Sequence, residues 1–292
     1  MRRRSRRRPR TRWLARLGLA ATIIAAVVVA FVAFAYSETY RLEVKSYTYA
    51  SPKVPPAFDG TRIVLLTDIH RSFFFSQQRV ADIVAKVNDL HPDMVVLGGD
   101  YVYGTKDLEA PTFAALAKLT APLGVYAVLG NHDYAHLAHG VNDPAVTKAA
   151  AAEAGIPLLD NRGLWIGKSG QRFRLGGVSD LTEGTPFDAL AVQGATPADF
   201  VVLVSHEPDF AEYLLPGDAD LVLSGHTHGG QITFFGLWTP LKGSGYGHLT
   251  GVTLTKDKKT TVIVSNGVGT IFPPLRFFAR PQIVVVTLKR AV

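Results

Sequence analysis

Two histidines one residue apart, His226 and His228, lie in the turn Gly225-His226-Thr227-His228-Gly229-Gly230-Gln231. The turn follows a short apolar run over residues 220–223 that reads as a buried strand. Glycine adopts positive φ and lets other groups approach the backbone, so a tight turn can bring both imidazoles to one side. Imidazoles held that way suit a metal, although a plain turn with two exposed histidines fits the same residues. Four upstream segments offer donors of the same chemistry, each after an apolar run: Thr67-Asp68-Ile69-His70, Gly98-Gly99-Asp100, Gly130-Asn131-His132-Asp133 and Ser205-His206-Glu207-Pro208. Singly, each is ordinary turn or loop composition. In open α/β sheets, however, ligands bind beyond the carboxyl ends of strands. Five such ends would bring Asp68, His70, Asp100, Asn131, His206, His226 and His228 to one edge. The chain has no cysteine, so thiolate sites and disulfides are excluded and any metal takes N and O donors.

The elements that must position these residues follow from periodicity. Residues 62–67, 94–97 and 125–129 read as strands, separated by helices over 80–90 and 107–119, with an alanine-rich helix over 145–154. Strands then dominate, at 164–166, 173–175, 201–204, 221–223, 249–255, 261–265 and 283–288. Helices alternating with strands early and strands later predict an α/β domain with a core of two packed sheets flanked by helices.

The N-terminus has a different composition. Residues 1–16 carry nine arginines and no acid, and residues 17–36 are twenty residues without a charge. As a helix at ~1.5 Å per residue, the uncharged run spans about 30 Å, the thickness of a bilayer core. The arginines on one side predict that Met1 is cytoplasmic and that everything after Tyr36 lies outside the cytoplasm. The competing reading is a cleaved signal peptide, for which Ala33-Phe34-Ala35 offers a small-x-small site. Ser5-Arg6-Arg7 gives a loose twin-arginine look, leaving the export route open. Without the tail the chain has 22 basic and 24 acidic residues, so the net charge of +7 belongs to the tail. No basic face for nucleic acid is expected. The expected organisation is a basic tail (1–16), a transmembrane helix or signal anchor (17–36), a connector (37–60) with strand-like alternation at 42–49, and a catalytic domain (61–292).

Asp-x-His, Gly-Asp, Gly-Asn-His-Asp, His and Gly-His-x-His in this order resemble the calcineurin-like metallophosphoesterase superfamily, over about residues 61–288. Ser205-His206-Glu207-Pro208-Asp209, the 225–231 turn and the closing strand at 281–288 resemble its bacterial membrane-associated or exported branch. That branch is described as phosphodiesterases of the cell envelope, and some relatives cleave the pyrophosphate of UDP-2,3-diacylglucosamine. The resemblance implies a four-layer αββα sandwich of two mixed sheets, preceded here by one transmembrane helix. It also implies hydrolysis of a phosphodiester or pyrophosphate bond, on a lipid or nucleotide conjugate, by a metal-bridging hydroxide. One divalent ion would take Asp68, His70 and His228, the other Asn131, His206 and His226, with Asp100 bridging. His132 would stabilise or protonate the reacting oxygens, and Asp133 would orient His132. The ligand chemistry suits Mn, Fe, Zn or Co. A nuclease of the same superfamily and a non-catalytic metal-binding scaffold are the alternatives. The first predicts a basic groove, the second missing ligands.

Arg71 and Ser72 stand where many members of this branch carry Leu-Gly. Arg71 is a candidate for a substrate phosphate, and Tyr246 and His248 are candidate substrate contacts. Three aromatic clusters follow, at Phe73-Phe74-Phe75, at Phe234-Phe235 with Leu237 and Trp238, and at Phe272 with Phe277 and Phe278. They read either as an apolar rim for an acyl chain or a membrane, with Arg276 and Arg280 meeting a head-group phosphate, or as core.

Overall fold

The computed structural model describes residues 10–134, 143–236 and 238–291. The tail residues 1–9, Leu237, and His136 and His139, two loop histidines near the Asn-His-Asp motif, lie outside them. Two mixed sheets stack face to face. The first runs β1 (Glu43–Ser51), β11 (Gln282–Arg290), β2 (Arg62–Leu66), β3 (Met94–Leu97) and β4 (Val125–Ala127) in spatial order. The second runs β5 (Arg162–Lys168), β6 (Gln171–Gly177), β7 (Val201–Val204), β8 (Leu221–Ser224), β10 (Thr261–Val264) and β9 (Gly251–Leu254). β2, β3 and β4 are mutually parallel, as are β6, β7, β8 and β10. β11 and β9 run antiparallel to their neighbours β2 and β10.

Strand alternation sorts the side chains into layers. Ile63 and Leu65 of β2 and Met94 and Val96 of β3 face the second sheet, packing with Leu175, Val202, Val204 and Leu223. Their neighbours Val64, Leu66, Val95 and Leu97 face helices α2 (Gln77–Asp89), α3 (Glu109–Leu116) and α5 (Ala145–Glu153). Strands buried on both faces lose the polar–apolar alternation of a surface strand and read as continuous apolar runs, as these do. α2 buries Val80, Ile83, Val84 and Val87 at helical spacing and starts at Ser76, whose hydroxyl accepts the Arg79 N–H. On the far face of the second sheet, Val201, Leu203, Val222 and Val262 pack under a 3₁₀ segment, Pro208–Tyr213, and a one-turn helix, α6 (Asp188–Ala191). The fourth layer is therefore thin.

The predicted helix over 107–119 is a 3₁₀ turn, Lys106–Leu108, followed by α3. Pro111 falls in the first turn of α3, where its missing N–H is not needed. Residues 37–60, read as a connector, carry β1, an edge strand paired in parallel with β11 over its whole length. Ahead of it, α1 (Arg10–Glu38) stands away from the domain. The part of α1 apolar enough to cross a membrane, Trp13–Glu38, is exposed over most of its length and docks only by its last turns. There Ala35 is fully buried and its carbonyl accepts the Arg276 N–H at 2.9 Å. Glu38 holds Arg280 at 2.8 Å, and the Thr39 carbonyl holds Arg79 at 2.7 Å.

Candidate metal centre

The carboxyl ends of β2, β3, β4, β7 and β8 open onto one edge, and every sequence-predicted ligand lies there. Asp68 and His70 follow β2, and Asp100 follows β3. Asn131 begins a one-turn helix after β4, α4 (Asn131–Tyr134), His206 follows β7, and His226 and His228 follow β8. Asp68, His70, Asp100, His226 and His228 all have positive φ, between 46° and 67°. That region is uncommon for residues with a Cβ, and such conformations gather where the surrounding structure overrides local preference. Two glycines make room. A Cβ on Gly225 would strike the Asp68 carboxylate, and one on Gly130 would strike the Asp100 carboxylate.

The donors fall into two adjoining groups. In one, His70 Nε2 and His228 Nε2 are 3.0 Å apart. Asp68 Oδ1 lies 3.5 Å from His228 Nε2, and Asp100 Oδ2 lies 3.4 Å from His70 Nε2. In the other, His226 Nδ1 meets Asn131 Oδ1 at 3.0 Å, and His206 Nε2 is 3.2 Å from Asp100 Oδ2. Asp100 therefore belongs to both groups.

The donor set fits cations. His206 Nδ1 contacts the Gly98 carbonyl at 2.7 Å, so that nitrogen carries a proton and Nε2 is the ring nitrogen that faces the group. His206 Nε2 is buried and makes no hydrogen bond despite its closeness to Asp100. Burial pushes the His70 imidazole down to about 3 and holds that of His228 well below the usual histidine range. His226 is lowered by burial as well, and by the neighbouring His206. Burial works against charge on Asp100, but His206 and His132 outweigh it and keep the carboxyl well below its usual range. Burial pushes Asp68 up to about 6, with His206 opposing and Asp100 adding to the rise. His206 differs: burial disfavours its cation, yet Asp100, Asp68 and Asp180 together raise its pKa well above normal. Neutral imidazoles beside an anionic carboxylate are the protonation states that ligate metals. A cation would replace the proton that the carboxylates draw to His206.

His132 stands at the rim. Its ring is 5.0 Å from that of His70 and 5.1 Å from that of Tyr103, and its backbone N–H donates to Asp100 Oδ1 at 2.8 Å. A cleft of about 400 Å³ opens over the group, lined by Asn131, His132, His226, Gln231, Lys242 and, on an apolar wall, Leu241 with Pro240 and Ile271.

Other candidates lie elsewhere. Asp133 does not accept from the His132 ring. Its buried carboxylate takes the backbone N–H groups of Asp100 and Gly130 at 2.8 Å and of Tyr101 at 2.9 Å, which ties two ligand loops together. The Arg71 guanidinium is held by the Ser72 and Phe75 carbonyls of its own loop and by Gln77 at the start of α2, and it is not among the cleft-lining residues. His248 is buried between Glu212 at 2.9 Å and Thr253 at 2.8 Å, and Tyr246 packs edge-on against Tyr213, so neither lines the cleft. Arg276 and Arg280, expected at a head group, are committed inward. Arg280 pairs with Glu38 and Glu43. Arg276 is fully buried and donates to the carbonyls of Asn266, Gly267, Gly269, Ala279 and His228. Sequence reasoning missed this role, although an arginine between apolar and proline residues, with nothing acidic nearby in sequence, is a signal for a residue that collects carbonyls. It also missed Asp180, which is buried beside the second group with Oδ2 unpartnered and pushed up to about 7 by burial.

A family model described as calcineurin-like phosphoesterase matches residues 61–230. The chain is similar to the metallophosphoesterase YkuE of Bacillus subtilis, at 32% identity over 87% of this chain and 88% of that protein. It is similar to the phosphodiesterase YaeI of Escherichia coli, at 28% identity over 78% of this chain and 82% of that protein. It is also similar to the UDP-2,3-diacylglucosamine pyrophosphatase LpxG of Chlamydia trachomatis, at 27% identity over 73% of this chain and 77% of that protein.

Proposed function

Because this chain belongs to the calcineurin-like phosphoesterase family, whose members hydrolyse phosphoesters, we propose that it is a two-metal hydrolase held at the cytoplasmic membrane by α1. It cleaves a phosphodiester or pyrophosphate bond in a lipid or nucleotide conjugate of the cell envelope. The observation that carries this reading is the convergence of seven N and O donors in two groups sharing Asp100 beneath an open cleft. Asp68, His70 and His228 would hold one divalent ion and Asn131, His206 and His226 a second, with Asp100 within reach of both groups. Divalent ions bound there would supply Lewis acidity toward the phosphoryl group and toward a water nucleophile. Asn131 contributes a neutral oxygen, which limits the negative charge that an anionic substrate must approach. His132 donates to the reacting oxygens, either as a hydrogen bond to the phosphoryl group or as a proton to the leaving alkoxide. Asp133 acts as a positioning residue by fixing the Asp100 and Gly130 backbone. The relatives YaeI and LpxG bear the names of a phosphodiesterase and a UDP-2,3-diacylglucosamine pyrophosphatase, and the apolar cleft wall suits an amphiphilic substrate.

The arginines before α1 support an orientation with Met1 inside and the catalytic domain outside. The burial of Ala35 and its bond to Arg276 favour an uncleaved anchor, since cleavage after Ala35 would cut the chain within the joint. The test uses the full chain in detergent with bis(p-nitrophenyl) phosphate, the corresponding monoester and UDP-2,3-diacylglucosamine. Mn-dependent turnover of the diester or the pyrophosphate, lost in His132→Ala, is the expected result. No turnover of any of the three by metal-loaded protein contradicts the reading.

A further inference from the structure

One connected group of aromatic side chains surrounds the foot of α1. Phe277 packs its ring on Phe31 at 5.0 Å and on Phe34 at 6.0 Å, both residues of α1. From Phe277 the contacts run to Phe278 at 4.5 Å and Phe234 at 6.4 Å, then from Phe278 to Phe235 at 4.8 Å and from Phe234 to Trp238 at 5.6 Å. These are not core side chains: Phe235 is 74% exposed, and Phe234, Trp238 and Phe278 are each about half exposed. The Phe73–Phe74 tip lies beside Arg79, which bonds the Thr39 carbonyl just past the end of α1 and covers the ring of Tyr40. Phe73 is 93% exposed. Residues 231–238 are uncharged, and the two arginines flanking Phe277 and Phe278, Arg276 and Arg280, are bonded to carbonyls and carboxylates of the protein.

The depth of this group follows from α1. If residues 17–36 cross the hydrocarbon, Phe31 lies about 7 Å inside its boundary, at ~1.5 Å per residue. Shifting the span toward Trp13 by four residues still leaves Phe31 inside the core and Phe34 in the head-group zone. Phe277 touches both. The joint is also fixed, because the Ala35 carbonyl, Glu38 and Thr39 are each bonded to the domain. A bilayer around α1 therefore cannot leave Phe277 and its neighbours in bulk water.

We propose that Phe234, Phe235, Trp238, Phe277 and Phe278 form a collar that inserts into the bilayer interface, so that the metal cleft takes its phosphoester from a lipid in that leaflet. The occupant of this surface is the bilayer, whose interface favours the amphipathic ring of Trp238 and accepts inserted apolar Phe side chains. Gln231 connects collar and cleft. It lines the cleft, its backbone carbonyl accepts the Phe277 N–H at 2.9 Å, and its amide bonds the Ile271 and Pro273 carbonyls. The membrane contact rests on α1 as the span, and the substrate class rests on the proposed hydrolysis, so each has its own readout.

The first readout is tryptophan fluorescence of the full chain in vesicles, with Trp13→Phe and Trp165→Phe leaving Trp238 as the reporter. Quenching by lipids brominated near the glycerol end of the acyl chain, several-fold stronger than by lipids brominated at the chain terminus, is expected. Emission that acrylamide quenches and brominated lipids do not would overturn the collar whatever the activity. So would shielding of Trp238 that depends on protein concentration, because that marks contact between copies. The second readout is the triple variant Phe234→Ser/Phe235→Ser/Phe278→Ser. A loss of at least fivefold on a phosphodiester embedded in vesicles, with bis(p-nitrophenyl) phosphate turnover unchanged, is expected. Equal loss on both substrates, or no loss on either, would overturn lipid-side access.

Discussion

Five of the seven donors hold left-handed backbone, a conformation that costs of order 1 kcal/mol each for a residue with a Cβ. Nothing local repays that cost, so those side chains are aimed by the fold. Aim and chemistry together made them legible: Asp, Asn and His each follow an apolar run, and their types restrict what the edge can do. Their neighbours were not legible, since a carboxylate or guanidinium finds its partners in three dimensions. Asp133 looked like a partner for His132 because it is adjacent in sequence, but its oxygens face the amides of Asp100, Tyr101 and Gly130. Two predictions separate the roles. His132→Ala is expected to lower kcat by about 10²- to 10⁴-fold while two metals stay bound, as read by steady-state kinetics with elemental analysis. Asp133→Asn turns an amide NH₂ toward amide donors and is expected to cost about 1–3 kcal/mol in chemical denaturation, with loss of bound metal. If Asp133→Asn instead kept stability and metal and lost only activity, an orienting role for Asp133 would be restored.

At the scale of elements, short buried strands were readable because apolar runs of four or five residues with nothing polar between them have few other uses. Boundaries that depend on a cap or an edge were not. The predicted 249–255 strand is paired only over Gly251–Leu254. α3 is also tied by an unusual group. Glu109 in its first turn is buried and accepts from Thr147 of α5 at 2.8 Å, and Thr147 also contacts the Asp133 carbonyl at 3.3 Å. Burial pushes Glu109 up to about 7, with Thr147 opposing. Between about pH 4.5 and 7 the folded chain therefore binds a proton that the unfolded chain does not. This contribution to stability is complete below pH 4.5 and is lost as pH rises through 7. Glu109→Gln is expected to flatten that fall, which amounts to at most about 3 kcal/mol, and to raise Tm at pH 8. A Tm difference between wild type and variant that does not change with pH would contradict this. Arg276 has a similar stitching role between the 226–231 turn and residues 266–279. Arg276→Lys cannot reach all five carbonyls and is expected to cost about 3 kcal/mol or more, read by denaturation, because a buried charge is left underpaired.

For the whole molecule, charge and hydropathy alone distinguish an arginine-rich tail, an apolar run and a near-neutral remainder. What sequence could not convey is that the last turns of α1 are bonded to the domain, which fixes its position relative to the cleft. The alternation at 42–49 pointed to a strand, but not to its parallel pairing with β11 at the edge of the first sheet. The proposed hydrolysis rests on a pair of ions that would share Asp100. It is tested most directly by loading the metal-free full chain with Mn and recording its stoichiometry and electron paramagnetic resonance spectrum, beside Asp100→Asn. Two Mn per chain with a spin-coupled spectrum in the wild type, and loss of that coupling in Asp100→Asn, is the predicted result. A single Mn, or two uncoupled ions indifferent to Asp100, would contradict the account.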